Sequence, residues 1–67
     1  MLADVPGFQS LKTRTRRILS REGVLLTGQF MALSASVLRR FEGLGEQSRQ
    51  ELLAWAETQG LVLSENT

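Results

Sequence analysis

Cysteine and histidine are both absent from this 67-residue chain. The first absence removes disulfides, thiolate metal sites and cysteine nucleophiles. The second removes the commonest general base and the commonest transition-metal ligand. Six serines are present, but no histidine accompanies them, and the only lysine, Lys12, lies in an arginine-rich stretch; neither pattern supports nucleophilic catalysis. "GLGEQS" at 43–48 lacks the spacing of a phosphate-binding loop, and no lysine follows it. Glu42 and Glu46 stand four apart, but the glycines between them point to a turn rather than a carboxylate pair. The expectation is a protein that is not an enzyme and that uses no metal and no cofactor.

Long apolar runs are missing as well. The opening "MLADVPGFQS" has neither a basic leader nor the apolar run of a secretory signal. No stretch approaches the length of a membrane span. These features predict a soluble, cytoplasmic protein without membrane contact. Sixty-seven residues leave room for one core only, and a core this small depends on each large apolar side chain.

What is present is a segregated charge. Residues 1–40 hold seven basic residues (Lys12, Arg14, Arg16, Arg17, Arg21, Arg39 and Arg40) against Asp4 and Glu22, a balance of +5. Residues 41–67 hold Arg49 against Glu42, Glu46, Glu51, Glu57 and Glu65, a balance of −4. Such a split suits a chain whose basic half faces something anionic, or whose copies dock head to tail.

Along the chain, residues 1–9 read as a flexible N-terminal arm with a turn at Pro6-Gly7, anchored by Phe8. Ser10 is placed to cap a first helix, "LKTRTRRILSRE", with Leu11, Ile18 and Leu19 on its apolar stripe and Gly23 as its stop. Arg14, Arg17 and Arg21 fall at i, i+3 and i+7 on another face. Thr27 is placed to cap a second helical region, in which Leu26, Phe30, Leu33, Val37, Phe41 and Leu44 recur at helical intervals. Ser34-Ala35-Ser36 interrupts that region, so it is one long helix or two short ones meeting near Ser34. Phe30, Met31 and Phe41 read as core or dimer contacts. Ser48-Arg49-Gln50-Glu51 matches a capping box and opens a third helix, which carries Leu52, Trp55 and Ala56 on one face and ends at Gly60. Trp55 reads as core. Residues 10–64 form a single small domain, and 65–67 a frayed tail.

One phrase occurs twice. "SREGVLLTG" (20–28) and "ETQGLVLSE" (57–65) each carry a glycine, three aliphatics and a hydroxyl residue, 37 positions apart. Three aliphatics are too few for a helix and suit a short strand, and a lone strand needs a partner. Val24–Leu26 and Leu61–Leu63 are therefore expected to pair with each other. The fold class that follows is mostly α: three to four helices with a minimal two-stranded sheet.

That order of elements, together with "AETQGLVLSE", resembles the winged helix-turn-helix family, in which a strand after the first helix pairs with the strand after the recognition helix. The resemblance covers Ser10 to Ser64 and implies a winged-helix-like DNA-binding regulator. By position it makes 48–59 the recognition helix, with Arg49 and Gln50 among its base-reading side chains. Glu51 and Glu57 make that helix net acidic, which phosphates repel. A second placement uses "SASVLRR", with Ser34, Ser36, Arg39 and Arg40 as the reading face. The candidate nucleic-acid-binding residues are thus Lys12, Arg14, Arg16, Arg17, Arg21, Ser34, Ser36, Arg39, Arg40, Arg49 and Gln50.

The functional expectation is a small DNA-binding transcriptional regulator of phage, plasmid or bacterial type, acting on double-stranded DNA through its basic N-terminal half. A homodimer is expected, joined through Leu2, Val5 and Phe8 or through part of the Phe30–Phe41 stripe. The alternatives are a protein-binding inhibitor or adaptor that docks on a larger enzyme or regulator through its acidic half, and a self-assembling structural piece.

Overall fold

The computed structural model describes residues 1–64. Two single-turn 3₁₀ helices, Leu2–Asp4 and Phe8–Ser10, precede four α-helices: α1 (Thr13–Arg21), α2 (Thr27–Met31), α3 (Ala35–Arg39) and α4 (Glu46–Thr58). No helix among the described residues is long and apolar enough to cross a membrane.

The core shows why the N-terminal nine residues are not a loose arm. Leu2 and Phe8 are buried in one cluster with Ile18, Leu19, Val24, Phe30, Leu38, Phe41, Leu44, Leu52 and Ala56. A core of this size gains on the order of 2 kcal/mol from each large side chain it fully buries, so the segment carrying Leu2 and Phe8 is drawn in. Polar contacts fix it there. Leu2 N–H donates to the Leu25 carbonyl at 2.8 Å, and Trp55 Nε1 donates to the Pro6 carbonyl at 2.9 Å. Half-buried Trp55 also sets its ring edge-on to Phe8, centroids 5.6 Å apart, and to Phe30, at 6.2 Å. Because residues 8–10 form a 3₁₀ turn, Ser10 caps nothing, and α1 starts after Lys12.

The middle region is two helices. Ser34 takes an extended conformation, and its Oγ accepts the Val37 N–H at 3.2 Å, capping α3. Ahead of α2, Gln29 Oε1 accepts the N–H groups of Leu25 and Leu26 at 2.9 and 2.8 Å, so a glutamine inside the helix takes the role expected of Thr27. The break also rotates the expected stripe. Phe30, Leu38, Phe41 and Leu44 are buried, whereas Leu26, Met31 and Val37 are exposed, which corrects the assignment of Met31 to the core. At α4 the cap is Gly45 and the first turn contains Ser48, so the expected Ser48–Glu51 capping box is not formed.

The repeated phrase is a repeated helix stop. At its first occurrence Val24 N–H donates to Leu19 O at 2.8 Å and Gly23 N–H to Ser20 O at 3.0 Å. At its second, Leu61 N–H donates to Ala56 O at 2.8 Å and Gly60 N–H to Glu57 O at 3.1 Å. Gly23 and Gly60 stand at φ 78° and 74°. Both sites are Schellman motifs, in which a left-handed glycine turns two otherwise unsatisfied carbonyls toward the next two N–H groups. The apolar residue that follows packs back: Val24 is buried, and Leu61 lies against the core.

The two aliphatic triplets do not pair with each other, and no two-stranded sheet exists among the described residues. Each triplet finds a different neighbour. Leu25 is bonded by Leu2. Ser64 N–H donates to Leu33 O at 2.8 Å, within an isolated parallel bridge between Ser34 and Ser64. The strand pairing on which the winged-helix expectation rested is thus replaced by two separate single-residue contacts. The expected fraying at 65–67 lies outside the described residues.

Candidate nucleic-acid interface

The basic side chains fall into two groups once their bonds are traced. Arg16 is half-buried and turned inward: its guanidinium donates to Leu11 O at 3.2 Å, Gln9 Oε1 at 3.0 Å and Thr13 Oγ1 at 3.1 Å. Lys12 pairs with Glu51 of α4 at 3.6 Å. Arg21 pairs with Glu22 at 3.3 Å and donates through Nη2 to the Glu42 carbonyl. These three cations hold parts of the fold together.

Arg14, Arg17, Arg39 and Arg40 are exposed and make no side-chain hydrogen bond or ion pair among the described residues. Arg14 and Arg17 are exposed on α1, whose buried residues are Thr15, Ile18 and Leu19. Arg39 and Arg40 close α3, immediately before the turn that carries Glu42. The Arg21–Glu42 bond brings that turn against the C-terminal end of α1. The side of Gly43 facing inward confirms the approach, since a Cβ there would lie 3.6 Å from Ile18 Cδ1. Two basic segments, far apart in sequence, are therefore linked by an arginine-to-carbonyl contact beside the core they share.

The remaining candidates divide differently. Ser34 is buried, and its hydroxyl is engaged as the α3 cap, so it is withdrawn from any reading face. Ser36 is exposed in the first turn of α3. Arg49 is half-buried and Gln50 exposed, both on α4, which shares the core with α1 and pairs Glu51 with Lys12. Of the residues expected at a dimer contact, Leu2, Phe8, Phe30 and Phe41 are buried in the chain's own core, Val5 is half-buried, and Met31 and Val37 within the Phe30–Phe41 stretch are exposed.

One surface was not anticipated. Leu53, Ala56, Glu57, Leu61, Val62 and Leu63 line an open groove of about 260 Å³ between α4 and the segment that follows it. Val62 is 66% exposed, more than any other large hydrophobic side chain among the described residues. The available signal was Leu53, which stands outside the Leu52–Ala56 face yet repeats the four-residue spacing of Arg49 and Glu57.

No family model, no curated protein and no solved structure matches this chain.

Proposed function

We propose that this chain is a small DNA-binding regulator that holds the phosphate backbone of double-stranded DNA through Arg14, Arg17, Arg39 and Arg40. The observation that carries the reading is the division among the arginines. Arg16 and Arg21, which have internal partners, build the fold; of the five without side-chain partners among the described residues, Arg14, Arg17, Arg39 and Arg40 are exposed on two segments that Arg21 joins, and Arg49 is half-buried on α4. An exposed guanidinium forms bidentate bonds with phosphate oxygens and displaces condensed counterions when it does. The lack of histidine and cysteine, and of any activated nucleophile in the sequence, favours a binding role over catalysis.

The carboxylates support the orientation. Glu46, Glu51 and Glu57 lie on α4, and neither α1 nor α3 carries a carboxylate of its own. Five-residue α3 is only about 8 Å long, too short to read many base pairs, and affinity is assigned mainly to backbone contacts. Fluorescence anisotropy of a labelled duplex at about 50 and 200 mM salt tests the reading. Four phosphate contacts give a logarithmic salt slope of about −3.6, so affinity falls roughly a hundredfold between the two conditions. No binding at the lower salt overturns the proposal.

A further inference from the structure

We infer that the groove beside α4 is a self-association surface, occupied by α4 of a second copy running antiparallel. The inference is independent of the DNA-binding reading and uses none of its four arginines. On α4, Arg49, Leu53 and Glu57 follow one another at four-residue steps and so lie along one stripe. The cation and the carboxylate are equally spaced about Leu53, about 6 Å along the helix on either side. Arg49 and Glu57 have no side-chain partner among the described residues, and Leu53 is only half-buried.

This pattern is self-complementary in one direction only. In an antiparallel pair with Leu53 on the two-fold axis, Arg49 of each copy faces Glu57 of the other, giving two identical ion pairs around an apolar centre. A parallel pair would oppose Arg49 to Arg49 and Glu57 to Glu57. An isologous contact requires this kind of reciprocity, in which residue i meets j and j meets i. The groove supplies the apolar part. Ala56, Leu61 and Leu63 form its walls with Leu53, and exposed Val62 stands at its border, placed to be covered by the second copy.

Sedimentation equilibrium of the full chain, from about 10 µM to about 1 mM in 50 mM salt, is the test. The expected result is a monomer–dimer equilibrium that saturates at two copies. Arg49→Glu alone and Glu57→Arg alone each replace both ion pairs with repulsions, and each should weaken the dimer about tenfold. The double variant Arg49→Glu/Glu57→Arg re-forms both pairs and should restore it. Within one copy the two positions are about 12 Å apart, so recovery arises between copies. Leu53→Asp should leave a monomer with unchanged helical circular dichroism. A wild-type monomer at 1 mM, growth beyond two copies, or failure of the double variant to recover overturns the inference. None of these readouts involves nucleic acid, so they are separate from the failure of DNA binding.

Discussion

Arg16 and Arg17 are adjacent in sequence, yet one guanidinium is bonded to three oxygens of the chain and the other is exposed with no side-chain partner among the described residues. The difference comes from residues 9–13. Gln9, Leu11 and Thr13 present three oxygens to the side of α1 that carries Arg16, and no such oxygens surround Arg17. Substitution at the two positions should separate stability from binding. Arg16→Ala removes all three bonds and part of the packing of the segment they hold, and should cost about 1–2 kcal/mol in urea unfolding followed by circular dichroism. Arg17→Ala should change stability by less than about 0.5 kcal/mol while lowering the magnitude of the DNA salt slope by about 1. Equal stability losses in the two variants would contradict the division of the arginines. The position of every charge was legible in the sequence, but which charges had partners was not, because the partner oxygens come from a segment whose folding depends on burying Leu2 and Phe8.

At the scale of the element, the doubled phrase governs. A glycine followed by three aliphatics is compatible with a strand after a turn and with a Schellman stop whose trailing aliphatic returns to the core, and both satisfy local preference. What decides is the preceding residues. Ile18 and Leu19, like Leu52 and Ala56, bury the helix face just before the stop, which places Val24 and Leu61 where they can pack against it. The pair of strands is absent among the described residues, Leu2 joins Phe8 in the core, and Met31, expected in the core or at a dimer contact, is exposed; each outcome depends on which segments meet, and spacing within a segment does not contain that. The local features divide: the caps expected of Ser10, Thr27 and Ser48 are not formed, whereas others are present. The helix stops at Gly23 and Gly60 and the apolar face of the last helix are set by neighbours within a turn or two, and the middle region, open between one helix and two, is two. Gly23→Ala and Gly60→Ala should each cost about 1–2 kcal/mol, the penalty for an L-residue in the left-handed region. Urea midpoints that fall in both variants, with unchanged denaturant dependence, are the expected result. A strand role for these segments would instead make alanine nearly neutral, since neither glycine side is crowded: no atom lies within 4 Å of a Cβ built at either position.

At the scale of the whole molecule, the segregated charge visible in the sequence becomes a division among helices, bridged by the pair that Lys12, before α1, makes with Glu51 of α4. The arginines lie on α1 and α3 and three carboxylates lie on α4, within a body whose longest extent is 27 Å. How far those carboxylates are felt by a duplex at the basic end depends on ionic strength. At about 0.15 M salt the screening length is roughly 8 Å, so a bound duplex senses the nearby arginines and little of α4. At about 0.01 M it is roughly 30 Å, longer than the molecule, and the duplex then senses a body whose net charge is only +1. The gain in affinity expected from lowering salt is therefore offset by repulsion from α4. A plot of log affinity against log salt should be linear between about 200 and 50 mM, with the slope set by the four arginines, and should flatten as salt approaches about 10 mM. Anisotropy titrations across that range measure it directly. A slope that stays constant down to 10 mM would mean that the carboxylates of α4 do not act on the bound duplex at any screening length, and that the basic end binds as though the acidic helix were absent.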